Sequence, residues 1–229
     1  MKVDVAKDVY NTVPRKSKST QRGFLLSLIL MMTTVFQGMP AVMVYSNPLF
    51  ADAVPEETLS PAWCSVILAI VCVVFGMIAS YLTDLSGRRP LMIISSIAAG
   101  LCHVALGTQI HLQWGPRWLT AILVYLFVGT YQCGAGTVPF VLSAEVFLPE
   151  VSSILTMIVF EWGWLCNFIL LFIFTPLIAA IGLGPIFYIF AAICFCSAII
   201  SMLFLPETKG LTVDAIQLLF VKQKRNNVI

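Results

Sequence analysis

Apolar positions along this chain fall into six long runs. They recur at about 24–46, 62–83, 91–110, 118–142, 153–180 and 184–205, each with few charges. A helix rising 1.5 Å per residue needs about 20 such residues to cross a hydrocarbon core of about 30 Å. The runs are continuously apolar and do not alternate, which excludes the inside-out period of a lipid-facing β-barrel. In lipid every backbone amide must find its partner within its own segment, so each run predicts a helix. Six such helices with short connections predict one bundle, an all-α membrane protein.

Composition agrees with that pattern. A chain of 229 residues that is 59% hydrophobic and 10% charged, with mean hydropathy +0.96, cannot clothe itself in a polar shell, so the lipid bilayer is its expected surroundings. Charge then sets orientation. Lys2, Lys7, Arg15, Lys16, Lys18 and Arg22 precede the first run, Arg88 and Arg89 follow the second, and Lys209, Lys222, Lys224 and Arg225 follow the sixth. Alternate threading puts all of these on one side and leaves only Arg117 on the other, beside an acidic loop with Asp52, Glu56 and Glu57. The excess of Lys and Arg marks the cytoplasm. Both termini are therefore expected inside, with 1–22 a basic cytoplasmic segment, 23–205 the six-helix bundle and 206–229 a tail. The basic segment has no small-residue cleavage site after a short apolar core, so it is not read as a signal peptide. Val213, Ile216, Leu219 and Phe220 fall at helical spacing and predict a short amphipathic helix on the cytoplasmic surface. The cysteines at 64, 72, 102, 133, 166, 194 and 196 lack metal-ligand spacing and read as small buried hydrophobes. No metal, cofactor or nucleic acid is expected, and no His, Cys or carboxylate constellation suggests an enzyme.

Two runs are interrupted. The first reads "FQGMPAVMVY", with Gln37, Gly38 and Pro40 in its midst, and the fourth reads "GTYQCGAGTVPF", with Gln132, Gly134, Gly136 and Pro139. Each opens a triplet if six helices are counted as three plus three. Matching breaks in two repeats point to a binding site, because proline removes a donor and glycine bends the helix, freeing polar groups toward a cavity. A pair of ordinary kinked helices gives the same sequence signal. The loop "DLSGRRPL" carries Asp84, Arg88 and Arg89 within a short connection, more charge than topology requires. Arginine forks pair bidentately with carboxylates, and Glu145 and Glu207 lie at the same face of the membrane. Such pairs would lock the helix ends together there.

"DLSGRRPL", "VLSAEVFLPEV" and "FLPETKGLTVDAI", in this order, together with "GAGTVPF" and Asn167-Phe168, resemble the second half of a sugar porter of the major facilitator superfamily, of the insect facilitated trehalose and glucose transporter type. The resemblance covers nearly the whole chain. It implies half of a twelve-helix fold that transports sugar of the glucose or trehalose class by alternating access, one half rocking against the other. It also implies a gating network of Asp84, Arg88, Arg89, Glu145 and Glu207. The expected residence is the plasma membrane. With one half present, the chain is expected to be a half or truncated transporter that pairs with a second six-helix bundle, its own copy or a separate chain. The alternative is a non-transporting partner or regulatory subunit of an intact transporter.

The departures from the family pattern bear on the substrate. Where sugar porters carry a stretch like "QQLSGIN", this chain has "TVFQGMP", so the paired glutamines fall on Thr34 and Val35 and the asparagine on Pro40. A site built to hydrogen-bond hydroxyls loses discrimination with each missing amide. Gln37 offers partial replacement, and Gln132, Phe140, Trp164 and Asn167 complete the expected substrate residues. Phe140 stands where the family has a sugar-stacking tryptophan, and Ser152 where it has a cation. Glu161, in "VFEWGW", belongs to no family motif. An ionisable group inside a membrane run is costly unless paired, protonated or wet. It is expected either to face the bundle interior near His103 or to reach back to headgroup water.

Overall fold

The computed structural model describes residues 2–53 and 60–213, with 215, 216, 218 and 219, and describes side chains from residue 19 onward. The described chain is helical. In order come α1 (Lys2–Phe36), α2 (Met39–Val44), α3 (Ser46–Ala53), α4 (Pro61–Ser86), α5 (Arg88–Leu112), α6 (Trp118–Cys133), α7 (Val138–Glu145), α8 (Pro149–Ile181) and α9 (Leu183–Phe204). Among the described residues six spans are long and apolar enough to cross a membrane: Ser19–Val44, Pro61–Ser86, Arg88–Leu112, Trp118–Glu145, Pro149–Ile181 and Leu183–Phe204. They coincide with the six apolar runs of the sequence. α1 runs from Lys2 through the basic segment into the first span without interruption.

The first and fourth spans are each two helices, broken where glycine and proline fall. Between α1 and α2, Gly38 takes φ 95°, a left-handed value that only glycine adopts freely, and a Cβ there would lie 2.5 Å from the Phe190 ring. Pro40 follows within the first turn of α2, where its missing N–H costs nothing. Between α6 and α7 the chain turns through 134–137 before Pro139 restarts the helix.

The spans pack as one bundle. α5 lies along α9 and α6, α1 along α8, and α4 along α6. Large side chains such as Leu30, Met31, Met92, Leu106, Phe127, Leu142 and Ile186 fill the centre. α4 and α8 form the flanks and are the least enclosed, with 17% of their most apolar stretch inside the molecule. Their outer faces carry Trp63, Ile70, Met77 and Tyr81 on α4 and Met157, Trp164, Phe168 and Phe172 on α8. The cysteines are free thiols. Cys64, Cys102, Cys166 and Cys194 are buried as expected, whereas Cys72 and Cys133 are half-buried and Cys196 is exposed on the apolar surface of α9. Glu56, Glu57 and most of the expected tail helix lie outside the described residues. Of the tail positions that are described, Ile216 is buried.

Candidate functional site

One end of the bundle carries a charged knot. The turn between α4 and α5 is a single glycine, Gly87, with φ 89°. It delivers Arg88 and Arg89 as the first residues of α5. Arg88 is largely buried and grips Glu145, the last residue of α7, as a fork: Nη2 to Oε1 is 2.6 Å and Nε to Oε2 is 3.3 Å. Two parallel N–H donors matched to two carboxylate oxygens give this pair direction as well as charge. The same guanidinium reaches Asp84 at 3.5 Å and donates to the Thr83 carbonyl at 3.1 Å.

Glu207 is bound differently from the expected arginine pair. Its carboxylate accepts from the backbone N–H groups of Arg88 (3.0 Å) and Arg89 (3.2 Å), and from that of Lys209 (3.0 Å). A helix start offers unpaired N–H groups and the positive end of its dipole, so an anion there satisfies both. The carboxylate can approach this closely because Gly87 has no side chain, and a Cβ at that position would sit 2.7 Å from an oxygen of Glu207. The Arg89 guanidinium turns instead to the Met202 carbonyl near the end of α9, at 2.6 Å. Thr208 and Lys209 extend the knot, the first donating to Glu145 (3.3 Å) and the second to the Leu85 carbonyl (2.6 Å). Sequence reasoning missed these two as functional residues, although both sit in the same "PETKG" stretch as Glu207.

In the middle of the bundle the two helix breaks face one another. The Tyr131 hydroxyl, just before the second break, donates to the Thr34 carbonyl at 3.2 Å, and the Thr34 hydroxyl donates to the Ala135 carbonyl, inside that break, at 3.2 Å. The Gln37 carbonyl at the first break pairs with His103 Nε2 at 2.8 Å. That bond puts the proton on Nε2. His103 is fully buried among Phe127, Phe187 and Phe190, its ring centroid 4.0 Å from that of Phe127.

The expected substrate residues do not converge on one pocket. Gln37 is completely buried, and its amide donates to Ser197 (3.0 Å) and Ser96 (3.5 Å), side chains of α9 and α5. Its backbone N–H still bonds the Thr33 carbonyl at 3.1 Å, so the phase of α1 turns this side chain inward with Leu30, Thr33 and Thr34. Gln132 is half-buried and lines a shallow cavity of about 350 Å³ with Cys72, Gly76 and Ser80 of α4. Phe140 is half-exposed and packs on Phe160 of α8, ring centroids 5.5 Å apart. Trp164 is 70% exposed, and Asn167 is half-buried one turn further along α8. Glu161 does not enter the interior and does not meet His103. It lies on the exposed face of α8, whose inward side, with Val159, Gly163 and Cys166, packs toward α1.

A second cavity, of about 510 Å³, opens at the end of the bundle opposite the knot and is lined by Asp52, Gln109, Gln113 and Arg117. Gln109 is fully committed there, bonding the backbone of Gly115 and Pro116 to close the α5–α6 loop. Arg117 and the knot thus stand at opposite ends, as the alternate threading requires.

Comparison with known proteins gives matches of three kinds. A family model described as sugar (and other) transporter matches residues 6–220. The facilitated trehalose transporter Tret1 of Drosophila yakuba is 30% identical over 202 residues, covering 84% of this chain and 23% of that protein. Tret1 of Culex quinquefasciatus is 26% identical over 206 residues, covering 87% and 40%. Among solved structures, the proton:xylose symporter XylE bound to 6-bromo-6-deoxy-D-glucose matches with a TM-score of 0.77 at 22% identity, over 86% of this chain and 42% of that one. That likeness speaks for the fold. The chain spans less than half the length of each of these relatives.

Proposed function

Because the chain belongs to the sugar (and other) transporter family, we propose that it is the second, C-terminal half of a carbohydrate carrier and works by alternating access. The observation that carries this reading is the charged knot. Arg88, Glu145 and Glu207 tie the α4–α5 turn, the end of α7 and the segment after α9 into one assembly at one end of the bundle. Such a knot holds when that end is closed and must loosen when it opens. Asp84, Arg88, Arg89, Glu145 and Glu207 are its gating residues, and the end that bears them faces the cytoplasm, with both termini on that side of the plasma membrane. The chain binds and releases its substrate without a covalent step or a cofactor.

A six-helix bundle alone leaves the outer faces of α4 and α8 bare, so the substrate lies between this bundle and a second one. The substrate is a sugar of the glucose or trehalose class, in keeping with the trehalose transporters among the relatives. Gln132, Phe140, Trp164 and Asn167 are the side chains that meet it. Gln37 supports them from behind, since its amide is spent on Ser96 and Ser197. Protection from labelling tests the site. With Asn167→Cys as the target, saturating trehalose or glucose is expected to slow maleimide modification at that position while leaving an equivalent cysteine at Cys196 unaffected. Equal rates with and without either sugar would remove the substrate assignment.

One observation favours the second reading, a non-transporting partner of an intact carrier. The amide-rich stretch of sugar porters is replaced by Thr34, Val35 and Pro40, and the remaining amide, Gln37, is sealed in the core. In that case the same bare faces dock on a complete transporter and no sugar protects Asn167→Cys.

A further inference from the structure

Two cavities at the end of the bundle opposite the knot share a wall. The larger, of about 510 Å³, is polar and is lined by Asp52 of α3, Gln113 just after α5 and Arg117 just before α6. The smaller, of about 280 Å³, lies between α2, α8 and α9 and is walled by Tyr45, Phe174 and Phe187. Leu49, Asp52 and Leu183 line both, so Asp52 stands at their border. Asp52 and Arg117 are exposed, and neither makes an ion pair or side-chain hydrogen bond with a described residue. Both cavities are held in shape. Gln109, 3% exposed, bonds the Gly115 and Pro116 backbone and so fixes the loop that presents Arg117. The Tyr45 hydroxyl pairs with Thr175, and its ring meets Phe174 edge-on with centroids 4.7 Å apart. Trp63, Trp114 and Trp118 are exposed at this same end, the level at which tryptophan sits between hydrocarbon and water. Asp52 and Arg117 therefore stand at headgroup depth.

We propose that this double cavity binds one phospholipid with a primary ammonium head group, its phosphate on Arg117, its ammonium on Asp52 and one acyl chain in the aromatic cavity. An opposite charge meets each of the two unpaired side chains, and the apolar volume beside them takes the chain. Other occupants match only part of the site. A free sugar suits the polar cavity and leaves the aromatic one empty. A fatty acid would fill the aromatic cavity and bring its carboxylate to the border that Asp52 holds, where like charges repel. A choline head gives Asp52 a charge without a donor, whereas an ammonium gives both, and charge-assisted hydrogen bonds are the stronger kind. Half-buried Ile178 and exposed Pro48 at the rim of the aromatic cavity leave a chain room to enter from the membrane. None of Gln132, Phe140, Trp164 and Asn167 lines either cavity, so the lipid site is separate from the proposed substrate residues. It requires no second bundle.

The test uses the full chain in phosphatidylcholine nanodiscs doped with a phosphatidylethanolamine that carries a diazirine in one acyl chain, against the matching phosphatidylcholine probe. After illumination, adducts are located by mass spectrometry. They are expected to concentrate at Tyr45, Phe174 and Phe187 relative to Ile122, which lies on the open face of α6 toward the same end. The ethanolamine probe is expected to label that cavity about fivefold more than the choline probe, the worth of one solvated ion pair. Asp52→Asn should remove the preference between the two heads, and Arg117→Gln should lower labelling by both, since the phosphate is common to them. Both side chains are exposed and unpaired, so neither variant should disturb the fold, which thermal unfolding of each checks. Adducts no denser in the cavity than at Ile122, equal labelling by the two probes, or a preference that survives Asp52→Asn would each overturn the assignment. Displacement of the probe by trehalose or glucose would overturn it in favour of a sugar. Sugar protection of Asn167→Cys is read at a different place and can succeed or fail independently.

Discussion

At the scale of single residues, Arg88 and Gly38 carry the sharpest expectations. Arg88 is nearly enclosed and holds Glu145 through two donors, so Arg88→Ala strands a carboxylate that has lost its best partner. Loss of one member of a largely buried pair is costly; because Glu145 keeps some solvent and its bond from Thr208, about 2 kcal/mol is expected here. Denaturation of the detergent-solubilised chain should show that loss, with Arg88→Lys recovering less than half because an ammonium cannot reproduce the fork. No loss in Arg88→Ala would mean the knot is decorative. Gly38→Ala is expected to destabilise by about 1–3 kcal/mol, since alanine at φ 95° is strained and its Cβ would strike the Phe190 ring. Wild-type stability in that variant would show that the first break is not fixed by this glycine.

At the scale of elements, the two broken spans brace one another. Tyr131→Phe removes the donor to the Thr34 carbonyl, and Thr34→Val removes the donor to Ala135. Each should cost about 1 kcal/mol, and the double variant less than the sum if the two bonds form one bridge. Hydrogen exchange read at residues 34–38 should quicken in either single variant, and unchanged protection would show that the breaks are independent. The breaks were visible in the sequence because Gly and Pro fall close together there, at Gly38 and Pro40 and at Gly134, Gly136 and Pro139, whereas Gly163 and Pro176, far apart in α8, leave that helix unbroken. The sequence could not show what Gln37 meets. Helical spacing turns it inward with Leu30, Thr33 and Thr34, but the serines that receive it lie 59 and 160 residues away. The knot was legible as charges at the right loops. The exchange of roles, with Glu207 on backbone N–H groups and Arg89 on a carbonyl, depends on the absent side chain of Gly87, which only coordinates reveal. Glu161 was expected inside near His103 or at the headgroups, and it stands on the open face because the helical phase of α8 turns Val159 and Gly163 inward.

At the scale of the whole molecule, six spans fold into a bundle whose charged knot closes one end and whose flanks, α4 and α8, are bare. Their exposed apolar faces describe a surface made to be covered. The most direct measurement is uptake of labelled trehalose and glucose into liposomes that hold this chain alone, this chain together with a separately produced first half from a related trehalose transporter, or that pair with Arg88→Ala. The account predicts no saturable uptake by the chain alone, saturable uptake by the pair, and its loss in Arg88→Ala. Saturable uptake by the chain alone, undiminished by Arg88→Ala, would contradict it.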